Sequence, residues 1–426
     1  MTASSPAVPR RRDEILAAAA GLFAAEGYRS TSMREVAAAA GILAGSLYHH
    51  FPSKEAIAVE LIEEYHADLA AAVRHFEPQS DPVAALREFA RVISQVSGRN
   101  RAALQISMYD APTAASPALK AVVRAQPASL DGRWRDLITA AVAAGAIDEQ
   151  VDSRILRHVL RETTPKAGVM VWERGAPDGG PVAFADCVTS VIFDGLASPQ
   201  SGPAREATAP EPGGKSAAIR AVTEARARWA VEAEQRQRER PGLILDVARA
   251  EFAQRGFEAT TVRDIADAAG LSPGNLYRYF ESKDTMVATI LSEFSDRLLA
   301  AYTEVLAAEA GVAESIEAIC WLLDQAGRHF SREIDMLKGN GKVLSLDVAS
   351  HYREGALARY GMLVGLIEQG AATGELRPLA PPALVASCVR EIMWAPMRSL
   401  AAIGAPQVRE FIRRAILAGA ARPIQE

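Results

Sequence analysis

Two short segments of the chain carry residue types that could hold a nucleic acid. In the first, Leu47 and Phe51 stand four residues apart, a spacing that puts both on one face of a helix. Tyr48 then lies on the outer face, and Tyr277 holds the same place in the second segment. A tyrosine there could instead be a core residue, but its recurrence beside an inward leucine favours exposure. Outer-face side chains can reach phosphates and base edges of duplex DNA.

The outer face of each segment contains further small, polar and aromatic residues. They are Ala44, Gly45, Ser46, Tyr48, His49 and His50 in the first segment, and Pro273, Gly274, Asn275, Tyr277, Arg278 and Tyr279 in the second. The inward residues agree between the segments, whereas these outward residues differ. Because base contacts choose sequence and phosphate contacts set register, the two segments should prefer different half-sites.

A serine and a lysine follow each segment, as Ser53-Lys54 and Ser282-Lys283. Serine is a favoured helix N-cap, so each pair indicates the start of another helix. The N–H groups of a helix start, beside a cation, form a geometry that binds phosphate. The alternative interpretation is a plain surface lysine.

These segments belong to a longer repeat. It runs from Arg11 to about Leu61 and again from Arg240 to about Ile290, with Phe252 following Phe23 by 229 positions. A period this long indicates tandem domains rather than a solenoid.

Hydrophobic periodicity in the repeat is helical throughout. Gly27 follows the first apolar stripe, where a helix favours a left-handed C-terminal residue. Ser32 with Glu35 predicts a capping box for a second helix, and Thr261 with Asp264 predicts a weaker one in the second copy. A helix, a glycine-containing turn and a helix make the helix-turn-helix arrangement. The rest of each half predicts more amphipathic helices without a strand pattern, so we expect an all-α fold.

The segments Gly41–Lys54 and Gly270–Lys283 both read Gly-x-x-x-Gly-x-Leu-Tyr-x-x-Phe-x-x-Lys. This pattern resembles the N-terminal domain of the tetracycline-repressor (TetR) family of bacterial transcriptional regulators. The resemblance implies, in each half, a three-helix DNA-binding head and a helical C-terminal domain that binds a small molecule and dimerises. By the same resemblance, the DNA backbone would be held by Thr31, Tyr48, Lys54, Thr260, Tyr277 and Lys283.

We expect two such TetR-like units in one chain. The expected boundaries are 9–62 and 238–291 for the helix-turn-helix domains, 63–198 and 292–426 for the effector and dimerisation domains, and 199–237 for a linker and connecting helix. Pro199 to Gly214 is rich in Pro, Gly, Ser and Ala, which is typical of a flexible linker. Ser216 to Arg240 has a weak apolar stripe and many charges, and predicts a connecting helix or an arm of the second half.

The bulk composition is that of an ordinary globular protein, with 426 residues, 49% hydrophobic and 23% charged. No apolar run approaches the roughly 18 residues of a membrane span. Cys187, Cys320 and Cys388 match neither a disulfide framework nor a zinc cluster, so we expect a cytoplasmic protein. A net charge of −5 does not indicate nucleic-acid binding, although Arg10, Arg11 and Arg12 precede the first copy and Arg236, Arg238 and Arg240 precede the second. These arginines could touch phosphates or be solvated helix ends.

Aromatic, sulfur and imidazole side chains in the C-terminal regions could line hydrophobic ligand pockets or belong to the core. They are Met108, Tyr109, Trp134 and Trp172 in the first half, and Trp321, His329, Met336, Tyr352, Trp394 and Met397 in the second. His49 and His50 point about 100° apart on a helix and lack an accompanying Cys or carboxylate cluster, so no metal site is expected. The chain has neither a glycine-rich phosphate loop after a strand nor a nucleophile elbow, so we expect no cofactor and no enzyme activity.

The pattern favours a DNA-binding transcriptional regulator, a repressor released by a small hydrophobic ligand, with two unlike heads in one chain. Its partners would be a double-stranded operator, the effector, and either the other half of the same chain in a pseudo-dimer or a second chain in a homodimer. The third helix of the first head starts at Leu43-Ala44, without the favourable Ser272-Pro273 pairing of the second. That head should bind DNA less well or not at all. The alternative function is an interaction protein with one or both heads defective.

Overall fold

The structure is a computed structural model that describes residues 11–111, 116–166, 180–196, 216–257, 259–337, 349–394 and 403–419. All regular elements in these ranges are helices, which confirms the all-α prediction. Among them, none combines the length and the apolar character that crossing a bilayer requires. We call the described residues up to 196 the first unit and those from 216 onward the second unit.

Helices of the first unit are numbered in chain order. They are α1 (Arg11–Glu26), α2 (Met33–Ala39), α3 (Ala44–His50), α4 (Lys54–His75), α5 (Pro82–Arg99), α6 (Arg101–Gln105, with a π-helical turn over Ile106–Asp110), α7 (Pro117–Arg124), α8 (Ala128–Ala143), α9 (Ser153–Thr163) and α10 (Gly180–Asp194).

The second unit begins with an extra helix that has no counterpart among the described residues of the first. Its helices are α11 (Ala217–Arg236), α12 (Arg240–Arg255), α13 (Val262–Ala268), α14 (Pro273–Leu276), α15 (Lys283–Ala307), α16 (Val312–His329), α17 (Ser331–Leu337), α18 (Ser350–Thr373), α19 (Pro382–Trp394) and α20 (Ala405–Phe411, with a π-helical end over Ile412–Leu417).

Each unit contains a three-helix head, formed by α1–α3 and by α12–α14, which continues into a helical effector domain. In the first head, α1 ends just before Gly27, whose φ of +89° is the left-handed conformation that favours glycine. The predicted capping box starts α2: Ser32 N–H donates to Glu35 Oε2 at 2.6 Å, and Glu35 N–H donates to Ser32 Oγ at 3.3 Å. The backbone hydrogen bond from Ser32 lowers the pKa of Glu35. The capping box therefore fixes the start of α2, which packs against both α1 and α3.

In the first unit, the effector domain is built around α4, α5, α8 and α10. Phe89 on α5 lies between Phe76 and Trp134, with ring centroids 4.8 and 4.7 Å away. Large aromatic side chains of this kind supply much of the apolar area that a helical domain buries.

Helix α11 packs against α15 and α16 of the second unit. Its Trp229 is buried there, 4.9 Å from the ring of Phe330 and 5.8 Å from that of His329. Glu232 of the same helix pairs with Arg297 on α15 at 2.6 Å. The connecting segment is therefore in contact with the second unit along its described length.

The two units pack against each other through their last helices, with α9 and α10 against α19 and α20. At the centre of this contact, Leu196 N–H donates to the Ile416 carbonyl at 2.9 Å. Gly195 and Gly419, both at positive φ, meet backbone to backbone: a Cβ on Gly195 would lie 2.4 Å from Gly419 N. Only glycine fits an approach this close.

Candidate nucleic-acid interface

The third helix of each head presents one buried and one exposed face. Leu47 and Phe51 are fully buried in the first head, and Leu276 is equally buried in the second. Between these anchors, Tyr48 is 54% exposed and Tyr277 is 53% exposed. The prediction that both tyrosines point away from the core is confirmed by this geometry.

The other predicted outer-face residues lie beside these tyrosines. Gly45, Ser46 and His49 are exposed, and Ala44 and His50 are half-buried; in the second head the exposed set is Pro273, Gly274, Asn275, Arg278 and Tyr279. Each head therefore gathers its predicted residues on one accessible surface. Leu43, at 80% exposure, also belongs to that surface, although it is not among the predicted DNA-binding residues.

The starts of the two third helices differ as predicted. Ser272 Oγ accepts the N–H of Asn275 at 3.2 Å, and Pro273 follows at the first helical position. Leu43 occupies the same place in the first head and makes no side-chain capping bond. The uncapped α3 is nonetheless longer than α14, after which Tyr277 to Tyr279 continue as turns. The consequence for DNA affinity stays a prediction.

The lysines after the third helices lie against the loop between the first two helices. Lys54 Nζ donates to the carbonyls of Tyr28, Arg29 and Thr31 at 2.6, 3.1 and 2.7 Å. Lys283 Nζ donates likewise to Phe257 at 2.7 Å and Thr260 at 3.1 Å. An ammonium has three N–H donors, and Lys54 uses all three for hydrogen bonds inside the head. In the structure these lysines hold the loop in place, and their contact with phosphate stays a prediction.

Comparison with known proteins accords with this geometry. The sequence profile of the bacterial regulatory proteins of the tetR family matches the chain twice, at residues 15–61 and 244–290. The HTH-type transcriptional repressor KstR2 of Mycobacterium tuberculosis is 33% identical over 160 residues, which cover 37% of this chain and 80% of that protein. The KstR2 of Rhodococcus jostii is 35% identical over 164 residues, or 36% of this chain and 76% of that protein. The chain belongs to the TetR family.

Because the family profile matches twice, the chain contains two TetR-type units in tandem, as the repeat predicted. Among solved structures, that of the ketosteroid transcriptional regulator KstR2 of Mycobacterium tuberculosis matches 43% of this chain and 96% of that chain, with 31% identity and a TM-score of 0.41.

The threonines just before the second helices point into both TetR-type heads. Thr31 and Thr260 are buried, and their hydroxyls donate to the carbonyls of Gly27 at 2.9 Å and Gly256 at 2.8 Å. They were predicted to hold the DNA backbone. The helix start is instead capped by the following residue, Ser32 or Thr261, which the capping boxes in the sequence already indicated.

The arginines before each TetR-type head also contact the protein itself. Arg12 pairs with Glu60 on α4, donates to the His50 carbonyl at 2.6 Å, and lies 4.1 Å from the ring centre of Phe51. Its hydrogen bond to Glu60 raises the pKa of Arg12. Burial lowers the pKa of Arg236. Arg12 therefore ties α1 to α3 and α4, while Arg10 lies outside the described residues.

The predicted ligand-pocket residues fall into separate groups. Trp134 is buried against Phe89, Met108 and Trp394 are half-buried, and the Arg409 guanidinium lies 5.6 Å from the Trp321 ring. His329 and Tyr352 belong to one aromatic group with Phe294, Phe330 and Trp229. Met336 joins the core of the second head. Trp172 and Met397, and the side chain of Tyr109, lie outside the described residues.

Proposed function

We propose that this TetR-family chain is a sequence-specific transcriptional repressor whose two heads read the two unlike halves of one operator. The observation that carries the proposal is the pair of exposed tyrosines, Tyr48 and Tyr277, which each directly follow the buried leucine of the third helix. Aromatic and polar side chains on such a face suit the major groove, where hydroxyls contact phosphates and neighbouring groups contact base edges. The residues around the two tyrosines differ, so the half-sites should differ.

The packing of the last helices supports a pseudo-dimer within one chain. The Cys388 thiol on α19 approaches the Phe184 carbonyl of α10 at 3.8 Å, and Arg414 pairs with Asp148 at 3.2 Å. Within one chain, these contacts therefore occupy the C-terminal helix faces through which two separate chains of a TetR-type dimer would pair. Two heads that share one face of a duplex lie about 34–36 Å apart, or a multiple of that spacing.

We retain the expected division of the chain as part of this proposal. DNA reading falls to residues 9–62 and 238–291, and effector binding and pairing fall to 63–198 and 292–426, with 199–237 joining the units. The chain would act in the cytoplasm, as a regulator and not as an enzyme.

The repressor sense is supported by the KstR2 relatives, which are named repressors. Release from DNA would follow when a small apolar ligand binds an effector domain better in a conformation that moves the heads apart. The shift is limited by the difference in ligand affinity between the two conformations. The aromatic groups around Trp134 and around Phe294 suit an apolar ligand.

Selection from a random pool of double-stranded DNA at low salt tests the proposal. We expect the full-length chain to enrich one asymmetric site, and light scattering of the complex to give one chain per site. A requirement for two chains would replace the pseudo-dimer by a homodimer of tandem chains. Absence of any enrichment would reject DNA reading and support the interaction-protein alternative.

Two variants assign the half-sites. Tyr48→Ala should weaken binding through one half-site and Tyr277→Ala through the other, while Leu357→Ala serves as the control. Leu357 is 58% exposed on α18, outside both heads, so its removal tests the effect of losing an exposed apolar side chain elsewhere.

A further inference from the structure

A cluster of charges joins the second head to its effector domain. Arg249 on α12 is only 3% exposed, and each nitrogen of its guanidinium faces a different carboxylate. Nη1 donates to Asp246 at 2.5 Å and Nη2 donates to Glu293 on α15 at 2.9 Å, whereas Nε lies 2.9 Å from Glu333 on α17 as an ion pair without a hydrogen bond. One side chain thereby links the head to two helices of the effector domain.

The cluster continues to the extra helix. Glu293 also pairs with Arg297 at 3.1 Å, and Arg297 pairs with Glu232 on α11 at 2.6 Å. At the joint between α11 and α12, a Cβ on Gly242 would lie 2.1 Å from the Arg236 carbonyl oxygen. Four helices, α11, α12, α15 and α17, therefore meet around these charges. The close contact between α11 and α12 leaves no room for a larger residue at position 242.

The first unit has none of this cluster's cations. At the offset of 229, the residues matching Asp246, Arg249, Glu293, Arg297 and Glu333 are Ala17, Ala20, Glu64, Asp68 and Leu104. Helix α1 still packs against α6 at the equivalent contact, where Leu104 is buried. At the matched positions the contact between α1 and α6 is therefore made by apolar residues, while the acids Glu64 and Asp68 remain on α4 without an arginine at either matched position.

The two kinds of contact constrain orientation differently. Apolar contact is non-directional, so it tolerates small shifts of one helix over another. A guanidinium is a planar fork with donors in fixed directions, and its pairing fails when the carboxylates move. Buried charges that lose their partners are strongly destabilising, which opposes any tilt of α12 away from α17.

We propose that Arg249 is a positioning residue that fixes the second head on its effector domain, leaving the first head as the movable one. This proposal concerns how the DNA-reading heads are regulated, and that regulatory role rests on the proposed function. The second head would act as a fixed anchor on the operator, and a ligand-driven change would act through the first.

Distances between paired spin labels test the proposal without DNA. The three native cysteines are buried, so labels go to introduced cysteines at Asp267 and Leu357 in the second unit, and at the matching Ala38 and Ala128 in the first. All four positions are exposed. We expect a narrow distance distribution between head and effector domain in the second unit and a broader one in the first. Equal widths would overturn the proposal.

The double variant Arg249→Ala with Glu333→Leu places the residue pair of the first unit in the second. Replacing a buried ion pair by apolar residues often leaves stability unchanged. We therefore expect an unchanged melting temperature, a distribution broadened to that of the first unit, and operator affinity lowered roughly two- to thirtyfold. A merely structural role for Arg249 predicts that width and affinity stay as in the parent chain, and that result would also overturn the proposal.

Two further variants complete the experiment. Arg249→Lys keeps the charge but loses the fork, so it should broaden the distribution even if the double variant does not fold; an unchanged width contradicts the proposal. Arg135→Ala with Asp136→Ala removes an exposed ion pair on α8 and should change neither quantity. A chain that enriches no DNA sequence but shows the expected difference in widths would reject the proposed function and leave the positioning role intact.

Discussion

The two units share the inside of their heads and differ in how those heads are attached. In both, a lysine holds the loop after the first helix, and a leucine anchors the third helix under an exposed tyrosine. In the first unit, Arg12 ties the head together, whereas Pro241 stands at that place in the second, where Arg249 ties the head to its effector domain. Duplication has therefore kept the local scaffold of a head and changed the charges that attach it.

The largest expected effect comes from separating the two units. Gly195→Ala would add a Cβ 2.4 Å from Gly419 N at a residue with a φ of +76°. Strain at positive φ and overpacking should together lower the free energy of unfolding by about 3 kcal/mol. Denaturant titration measures this loss.

Gly145→Ala is the matched control, because Gly145 also has a positive φ, of +67°, but a Cβ there meets nothing within 4 Å. It should lower the free energy of unfolding by about 1 kcal/mol, from backbone strain alone. Equal losses in the two variants would show that the backbone contact at Gly195 does not hold the units together.

Removing the loop lysines compares the two heads directly. Lys54→Met leaves three carbonyls without their ammonium donor, and Lys283→Met leaves two. We expect the first change to lower the free energy of unfolding by about 2 kcal/mol and the second by somewhat less, since charge-assisted hydrogen bonds are worth about 1.5–3 kcal/mol. Wild-type stability in both variants, with lost DNA affinity, would instead support phosphate contacts by these lysines.

The next effect concerns how the second head reads bases. Asn275→Ala should change preference at a few base pairs of one half-site, whereas Tyr277→Ala should weaken binding to all sequences by roughly tenfold. Neither should change stability by more than about 0.5 kcal/mol, because both side chains are exposed. Binding measurements on single-base operator variants distinguish the two effects, and an identical sequence profile for both would reject the division of roles.

The smallest expected effect concerns the helix starts. Ser272→Ala removes the cap of α14 and should cost about 1 kcal/mol, while Leu43→Ser supplies a cap to α3 and should recover a similar amount. Hydrogen exchange in each third helix follows the change. If Leu43→Ser leaves exchange in α3 unaltered, the missing cap is not what distinguishes the first head.

The sequence predicted those parts of the heads that depend on neighbours along the chain. The capping boxes at Ser32 and Thr261, the glycine turns and the exposed tyrosines all follow from spacing within one or two helical turns. The DNA-contacting roles of Thr31 and Lys54 came from the family resemblance, whereas in the structure Thr31 donates to Gly27 in its own loop and Lys54 donates to that same loop from the start of α4. Spacing alone does not report which donors a fold has already satisfied.

Residues far apart in the chain account for the rest. The duplication, the helical class and the TetR family could be predicted from the order of the residues, since periodicity and motif spacing are local properties. The contact of Gly195 with Gly419 and the three carboxylates around Arg249 required the assembled fold. A charge on a helix surface looks the same in sequence whether it meets water or another helix, and packing chooses between the two by the cost of leaving it buried and unpaired.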